Sequence, residues 1–340
     1  MIIMKVLVAG GAGYIGSTTC SALLDSGHEP VILDSLATGR EEFTRGRVFY
    51  RGDISDGALI ARIISEHPDI FCAIHFAALI VVPDSVADPY SYYNENVAKS
   101  LGFYRNLSAN GLKRVLFSSS ASVYGDLPGT MATETTPLNP CSPYARTKRM
   151  MEEILADFSE AYGMKGIALR YFNPIGADPK LRTGMQLASP SHVLGKLISA
   201  STGKEPEFLV TGTGWPTRDG TGIRDYVHVW DLALAHVKAV EMFDAAFEKA
   251  GNDARGGFLA INLGSGNGVT VREILAAFEK VLGREVPKRD APPRDGDVAG
   301  AYASADRARR LLGWEATLSI VDGIRDALAW DRVRGEVLGA

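Results

Sequence analysis

Tyr144 and Lys148 are four positions apart, a spacing that places two side chains on the same face of a helix. Ser142 and Pro143 directly precede them and predict a helix start, with the serine as N-cap and the proline in the first turn. A phenol with a pKa of about 10 is a poor base at neutral pH. A nearby ammonium group and a helix N-terminus both favour its anion, so this pair could accept a proton. Because the same spacing also arises by chance on exposed helices, the pair alone is weak evidence.

Three serines, Ser118-Ser119-Ser120, end the fifth β-rich run of the chain. Ligands of doubly wound sheets bind beyond the carboxyl ends of the strands, which is where these hydroxyl groups would lie. Ser120 could therefore relay a proton or hold a substrate hydroxyl. Serines at strand ends are also common turn formers, and the residues alone leave both interpretations open.

A glycine-rich segment follows the first predicted strand and opens the first predicted helix. It reads Gly10-Gly11-Ala12-Gly13-Tyr14-Ile15-Gly16. Glycines at these turns let the backbone pass close to a pyrophosphate, which then lies at the helix N-terminus. The position of the motif in a strand–turn–helix unit predicts a dinucleotide site.

Acidic residues end the second and third predicted strands. Asp34 could accept both hydroxyl groups of an adenosine ribose and would repel a 2′-phosphate, so we predict NAD rather than NADP. Asp53 and Ile54 could bracket an adenine. An exposed turn is the alternative interpretation for each of these acidic positions.

The first half of the chain alternates β-rich runs with segments of helical spacing. The predicted strands are residues 5–8, 30–34, 47–50, 69–76, 114–118 and 166–171, and the clearest helical segments between them are 58–67 and 90–110. This alternation predicts an α/β protein with a doubly wound parallel sheet (Rossmann) and a smaller C-terminal α/β domain. We assign residues 1–176 to the NAD-binding Rossmann domain, with a returning segment near 224–262. Residues 177–223 and 263–340 would form the substrate-binding domain.

Composition excludes several classes of protein. A net charge of −4 gives no support for nucleic acid or a membrane surface as a partner. The three cysteines, Cys20, Cys72 and Cys141, form no C-x-x-C pair, so we expect neither a disulfide framework nor a metal site. No apolar stretch approaches the length of a membrane helix, and we expect a cytoplasmic protein.

Nine motifs in order resemble the UDP-glucose 4-epimerases (UDP-galactose 4-epimerases), which are extended short-chain dehydrogenases. They are residues 10–16, 52–54, 75–78, 93–96, 118–125, 142–148, 170–174, 224–229 and 295–297. The resemblance runs from about Lys5 to Trp330 and implies a homodimeric isomerase of galactose and carbohydrate metabolism.

The resemblance also implies a mechanism. Tyr144 would take the proton of the sugar 4-hydroxyl, directly or through Ser120, while C4 gives a hydride to NAD. The 4-keto sugar would turn over in the pocket and take the hydride back on its other face. Lys148 would lower the pKa of the tyrosine and hold the nicotinamide ribose. His75 would be structural.

The motifs assign two further sets of residues. The implied cofactor-binding residues are Gly10, Gly13, Tyr14, Ile15, Gly16, Asp34, Asp53, Ile54, Phe76, Ala77, Ala78, Asn96, Ser118, Tyr144, Lys148 and Tyr171. The implied residues for the UDP-sugar substrate are Ser120, Asn173, His192, Arg224, Arg294, Asp297 and Ala301. Two arginines beside a pyrophosphate make independent sense, because a guanidinium group matches phosphate oxygens.

Three features depart from the family pattern. The strand that carries the family's uracil-facing aromatic residue reads Phe208-Leu209-Val210-Thr211-Gly212, which gives no support for base stacking there. Ile80 stands where the family often carries a lysine, which removes a possible contact to NAD. Ala301 stands where relatives carry a residue that limits the room around the sugar. The small side chain predicts that N-acetylated UDP-hexosamines are accepted alongside UDP-glucose.

Other activities remain as alternatives. Epimerisation of a UDP-pentose or of UDP-glucuronate stays open. A sugar-nucleotide 4,6-dehydratase needs an acid/base pair beside the serine, and Ser119-Ser120-Ala121 has none. A nucleotide-sensing protein without catalysis should lack the Tyr144–Lys148 pair.

The predicted homodimer would pair two helical segments, 90–110 and 143–162. Apolar side chains of the second segment could supply contacts to the partner, although core packing explains some of them equally well. These side chains are Met150, Met151, Ile154, Leu155 and Phe158.

Overall fold

The computed structural model describes residues 3–127, 129–188, 190–294 and 297–339. The strands are β1 (Lys5–Ala9), β2 (Glu29–Asp34), β3 (Val48–Arg51), β4 (Ile70–His75), β5 (Arg114–Ser118), β6 (Thr130–Ala132), β7 (Lys165–Tyr171), β8 (Asn173–Ile175), β9 (Phe208–Thr211), β10 (Ile223–His228), β11 (Phe258–Leu263), β12 (Gly268–Thr270), β13 (Lys288–Ala291) and β14 (Ala301–Ala303). The α-helices are α1 (Tyr14–Asp25), α2 (Gly57–Glu66), α3 (Val82–Ala87), α4 (Pro89–Tyr93), α5 (Lys99–Ala109), α6 (Pro143–Tyr162), α7 (Val193–Ser201), α8 (Val229–Glu241), α9 (Phe243–Ala250), α10 (Val271–Leu282), α11 (Asp306–Leu312) and α12 (Ile320–Leu338).

Seven parallel strands form the large sheet, in the order β3-β2-β1-β4-β5-β7-β11. One face packs on α1, α8, α9 and α11, and the other packs on α2, α5 and α6. Strands such as β1 are apolar without alternation because helices cover both of their faces. This arrangement confirms the predicted doubly wound parallel sheet. The strand order reverses direction between β1 and β4, so ligands are expected at the carboxyl ends of those strands.

A second apolar core lies outside the large sheet. It joins α7, α10 and α12 to the small strands β8, β9 and β10. Strand β10 pairs with β8 and β12, whereas β11, which follows it, returns to the edge of the large sheet beside β7. The exact boundaries between the two predicted domains stay a prediction.

The predicted helix 90–110 is broken in the structure. It consists of α4, a π-helical turn at Asn94–Ala98, and α5. Within that turn, the Asn96 side chain bonds to the backbone of Leu79 and to Thr147, contacts that the helical periodicity of the sequence did not reveal. A π-turn inside a helix is often found at functional sites.

Two of the side chains offered for a dimer contact lie in the core instead. Met151 and Leu155 are buried under the large sheet, so they are not available to a partner. Ile154 and Phe158 pack against the same core and are partly buried. Met150 is exposed. Among the described residues, no helix is long and apolar enough to cross a membrane.

Candidate active site

The predicted catalytic helix starts where the sequence indicates. The hydroxyl oxygen of Ser142 accepts a hydrogen bond from the backbone N–H of Ala145 at 3.2 Å, and Pro143 is the first residue of α6. Tyr144 therefore lies in the first turn, where the helix dipole favours a negative charge. The ammonium nitrogen of Lys148, one turn further, is 5.9 Å from the centre of the Tyr144 ring.

The end of β5 meets this helix. Lys148 donates to the carbonyl oxygen of Ser118 at 2.8 Å, and the Ser118 hydroxyl bonds to the hydroxyl of Tyr171. Ser120 hydrogen-bonds to Tyr144 and also accepts from the hydroxyl of Ser122 at 2.9 Å. The structure thus brings together Tyr144, Lys148 and Ser120, which the sequence predicted as the catalytic set.

Burial dominates the charge state of this set. It raises the pKa of Tyr144, and the hydrogen bond from Ser120 only partly offsets that shift. It lowers the pKa of Lys148 to about 7, although the negative charge of Glu152 acts in the opposite direction. The protein alone therefore holds a neutral phenol beside an amine that is ready to lose its proton.

The glycine-rich turn between β1 and α1 has the shape that a pyrophosphate needs. Gly10 has a φ of +83°, and a Cβ there would lie 2.6 Å from the backbone nitrogen of Ala77. A Cβ at Gly16 would lie 2.2 Å from the carbonyl oxygen of Gly10. Gly13 is the N-cap of α1 without a capping side chain, so the first N–H groups of the helix remain available to a ligand.

Two predicted cofactor residues use their side chains for structure. The Tyr14 hydroxyl donates to the carbonyl oxygen of Gly176 at 2.7 Å, and Ile15 packs against the core of the large sheet. Any contact that these residues make with a dinucleotide would come from the backbone at the start of α1.

The predicted ribose and adenine residues lie at the ends of β2 and β3. The carboxylate of Asp34 accepts from the backbone N–H groups of Ala12 at 2.9 Å and Leu36 at 2.8 Å, while burial raises its pKa. Asp53 accepts from Lys99 at 2.7 Å, and Ile54 is buried. Asp34 therefore fixes the glycine-rich turn itself, and its remaining lone pairs could accept ribose hydroxyl groups.

The segment after β4 lies against the glycine-rich turn. The N–H groups of Phe76 and Ala77 both donate to the carbonyl oxygen of Ala9, at 2.8 and 3.1 Å. Ala78 follows them. The side chain of Asn96 hydrogen-bonds to both the backbone N–H and the carbonyl group of the next residue, Leu79. The structure thus places the Asn96 side chain in contact with the loop backbone; its predicted contact with a cofactor stays a prediction.

Arg224 lies under the loop before β14. Its guanidinium group donates to the carbonyl oxygens of Ile223, Val298 and Ala299 at 2.8 to 3.1 Å, and burial lowers its pKa. No carboxylate within the described ranges forms an ion pair with it. A guanidinium group has five N–H donors, so two of them remain for an anion.

The other predicted substrate residues are not all joined by direct contacts. Arg294 and Asp297 bond to each other, and residues 295 and 296 between them lie outside the described part of the chain. Asn173 begins β8 beside Tyr226. Ala301 is buried in β14, where it pairs with Thr130 of β6.

His192 is the N-cap of α7. Its Nδ1 accepts from the N–H of Gly195 at 3.2 Å, and burial lowers its pKa to about 4. Its buried Nε2 has no hydrogen-bond partner among the described residues. The imidazole borders a small crevice between α7 and α12, lined in part by Leu194, Ile198 and Trp330. A buried neutral ring with one unused nitrogen can bond to a ligand.

Sequence reasoning missed a buried polar network behind the catalytic set. Glu152 follows Lys148 by one turn on α6 and pairs with Arg170 of β7, both almost fully buried. Ser119 donates to the same carboxylate. The spacing of Tyr144, Lys148 and Glu152, each four residues after the last, was the available signal.

A comparison with protein families shows to which family this chain belongs. Residues 6–252 match the model of the NAD dependent epimerase/dehydratase family. The chain belongs to this family. Curated relatives include UDP-glucose 4-epimerases of Bacillus subtilis, 41% identical over 96% of both chains, and of Azospirillum brasilense, 40% identical over 98% of this chain and 94% of the relative.

Solved structures of this family agree. A UDP-glucose 4-epimerase from Stenotrophomonas maltophila with bound NAD and formylated UDP-arabinopyranose superposes with a TM-score of 0.90 at 38% identity, covering 98% of this chain and 99% of its own. A UDP-Glc/GlcNAc 4-epimerase from Campylobacter jejuni has a TM-score of 0.80 at 32% identity, covering 97% and 99%. These findings confirm the predicted family and its enzyme class, and the description of the family confirms NAD as its cofactor.

Proposed function

We propose that this chain interconverts UDP-glucose and UDP-galactose by NAD-dependent epimerisation at C4. The observation that carries the proposal is the meeting of Tyr144, Lys148 and Ser120 at the carboxyl end of β5. This edge of the sheet also carries the glycine-rich turn, so a dinucleotide held there would reach the same place. The identity to several UDP-glucose 4-epimerases over nearly the whole chain supports the choice of substrate.

Two side chains of this chain, Tyr144 and Ser120, transfer the proton. Tyr144 takes the proton of the sugar 4-hydroxyl, and Ser120, bonded to it, can relay that proton. NAD, when bound, supplies the acceptor and later the donor of the hydride at C4. The 4-keto sugar turns over, Tyr144 returns the proton to the new 4-hydroxyl, and no net oxidation results.

Electrostatics explain why the tyrosine needs partners. Burial raises its pKa, so a neutral phenol would be unreactive without a nearby positive charge. Lys148 supplies such a charge when protonated, and the oxidised nicotinamide ring carries another. With a pKa of about 7, Lys148 is only partly protonated at neutral pH, so its positive charge depends on the groups around it.

The nucleotide diphosphate would be held by polar side chains outside the large sheet. Two N–H groups of Arg224 remain free after its three carbonyl contacts, and Arg294 is half-exposed beside Asp297. Guanidinium groups bind phosphate oxygens with two parallel bonds. His192 offers its unused Nε2, and Asn173 its amide; Asp297 would lie near the uridine.

The small side chain of Ala301 is the ground for a second substrate class. A single methyl group on β14 would restrict a substituent on the sugar less than a larger side chain would. We propose that UDP-N-acetylglucosamine is epimerised as well. A UDP-pentose or UDP-glucuronate stays an alternative substrate.

One set of incubations tests these proposals. The purified protein is incubated separately with UDP-glucose, UDP-N-acetylglucosamine and UDP-xylose, and the sugars of the products are analysed. We expect galactose from the first and N-acetylgalactosamine from the second. No galactose would refute the main proposal, and no N-acetylgalactosamine would refute the broader one.

We also propose a homodimer through the outer surface of α3 to α6. Exposed apolar side chains on it are Val86, Tyr90, Leu101 and Met150. A partner subunit would bury these side chains, which favours association. Sedimentation of the wild type should give twice the mass of the chain, and Leu101→Glu should give the monomer; a monomeric wild type would refute the proposal.

A further inference from the structure

A buried charged network lies directly behind the catalytic set, and the mechanism above does not use it. Glu152 and Arg170 form two bonds, at 2.8 and 2.5 Å, with both side chains almost fully buried. Arg170 also donates to the hydroxyl of Tyr124 at 3.0 Å, and Tyr124 donates to Asn262 at 2.6 Å. Removing charges from water is costly, so a network of this kind is weak evidence for stability alone.

The network reaches the site through Ser119. Its hydroxyl donates to the Glu152 carboxylate at 2.5 Å. The residue before it, Ser118, accepts from Lys148, and the residue after it, Ser120, bonds to Tyr144. Ser119 thus lies between Ser118, the last residue of β5, and Ser120, which contact Lys148 and Tyr144 respectively.

Glu152 also lies on the same helix face as that pair. It follows Lys148 by four residues, and Lys148 follows Tyr144 by four, so all three project from one side of α6. A carboxylate here can act on the strand end through Ser119 and on the ammonium group through its charge.

We propose that Glu152 is a positioning residue for the epimerisation proposed above, holding the end of β5 against α6 through Ser119 and keeping the ammonium group of Lys148 charged. Its negative charge raises the pKa of Lys148 against the larger effect of burial. The other groups facing Lys148 are Tyr144 on the same helix, the Ser118 carbonyl and Phe117 ring of β5, and His75 of β4. His75 stays neutral because burial lowers its pKa to about 3.

Two variants separate the two effects. Ser119→Ala removes only the link to the strand and keeps the ion pair. Glu152→Gln/Arg170→Gln removes both charges, which avoids leaving one buried charge without a partner. The matched control is Glu153→Gln, the same change at the next residue, where the carboxylate is exposed and pairs with Arg149.

Kinetics on the NAD-loaded enzyme test the positioning. We expect Ser119→Ala to lower kcat for UDP-glucose about 10-fold with KM within about twofold, because geometry at the reacting atoms changes and substrate binding does not. The melting temperature should stay close to that of the wild type. The control variant, Glu153→Gln, should match the wild type in kcat, in KM and in melting temperature.

A titration that needs no substrate tests the charge effect. The carbon next to the lysine nitrogen is followed by ¹³C NMR against pH, and the Lys148 signal is identified by its loss in Lys148→Met. We expect the pKa of Lys148 to fall by about one unit in the double glutamine variant and to stay unchanged in Glu153→Gln.

The outcomes are distinct. An active wild type whose Ser119→Ala variant keeps its kcat, together with an unchanged pKa of Lys148 in the double variant, would overturn this inference and leave the epimerase proposal intact. An inactive wild type would refute the proposed function, and the NMR titration would still decide whether Glu152 controls the charge of Lys148.

Discussion

The ammonium group of Lys148 donates a hydrogen bond to the carbonyl oxygen of Ser118 at 2.8 Å. This bond joins the catalytic helix α6 to the end of β5. It also keeps one end of the lysine next to the Tyr144 ring. Because this bond ties the strand end to the helix, the fold itself sets the distance between the predicted base and its serine partner.

The first prediction concerns Tyr144→Phe. The change removes the only atom of that side chain that can take a proton, so kcat for UDP-glucose should fall about 10²- to 10⁴-fold. NAD, measured by absorbance after denaturation, should still be bound, because the glycine-rich turn and Lys148 are unchanged. Tyr162→Phe at the exposed end of the same helix is the control and should be fully active. Full epimerisation by Tyr144→Phe would refute the assignment of the base.

The second prediction compares two glycines of the same turn. Gly10→Ala places a methyl group 2.6 Å from the backbone of Ala77 at a positive φ, which should destabilise the fold by about 1–3 kcal/mol. At Gly13 the nearest atom is 3.5 Å away, so Gly13→Ala should fold normally. Both variants should bind less NAD, for different reasons. The methyl group at Gly13 would lie at the start of α1, where the pyrophosphate would pass, whereas the one at Gly10 would displace the turn itself.

Thermal unfolding and NAD titration measure these two effects separately. Equal melting temperatures for Gly10→Ala and the wild type would show that the close contact to Ala77 can relax. Normal NAD binding by Gly13→Ala would show that the start of α1 does not hold the pyrophosphate.

The third prediction concerns Arg224→Lys. A lysine carries the charge but lacks the planar fork that donates to three carbonyl groups while keeping N–H groups free. KM for UDP-glucose should rise about 10-fold, with a smaller change in kcat. Arg218→Lys, at an exposed arginine paired with Glu273, is the control. Unchanged KM in Arg224→Lys would place the diphosphate elsewhere.

The fourth prediction concerns stability against pH. The pKa of Lys148 is about 7 in the folded protein, below the value of 10.5 for an unperturbed lysine. Between these two values the unfolded chain binds more protons than the folded chain, so this group makes the free energy of unfolding rise with pH. Above pH 10.5 the free energy of unfolding has gained the whole of this increase, and below about pH 7 it has gained none of it.

Urea unfolding of the NAD-free wild type and of Lys148→Met, from pH 6 to pH 10, isolates this contribution. As the pH rises, the free energy of unfolding of the wild type should increase relative to that of Lys148→Met, by at most about 1.4 kcal/mol per pH unit. Parallel curves for the two proteins would show that Lys148 is charged in the folded state throughout this range.

Local features of the site were predictable because neighbouring residues decide them. A serine and a proline before Tyr144 set the start of α6, and helical spacing alone put Lys148 one turn later. The glycines of the first turn have a similar local reason, since Gly10 needs a positive φ. The apolar runs in the first half of the chain were enough to predict the parallel sheet.

Contacts between distant segments were not predictable in the same way. Nothing in the sequence indicated that the Asn96 side chain bonds to the backbone of Leu79, and its predicted contact with the cofactor stays a prediction. Tyr14 reaches the carbonyl group of Gly176, far along the chain. From the sequence, Met151 and Leu155 could contact a dimer partner. In the structure they are buried, because α6 packs on the large sheet.

The sequence by itself determined the elements and the spacing of the catalytic pair, because turns, caps and helical periodicity depend on residues close together in the chain. Only the tertiary structure decided which groups surround that pair. The carbonyl group of Ser118 accepts a hydrogen bond from Lys148 at the strand end, and the charge of Glu152 acts on Lys148 from the next helical turn. Burial of the lysine lowers its pKa against that charge. Burial is a property of the packed molecule, and no short segment of sequence contains it.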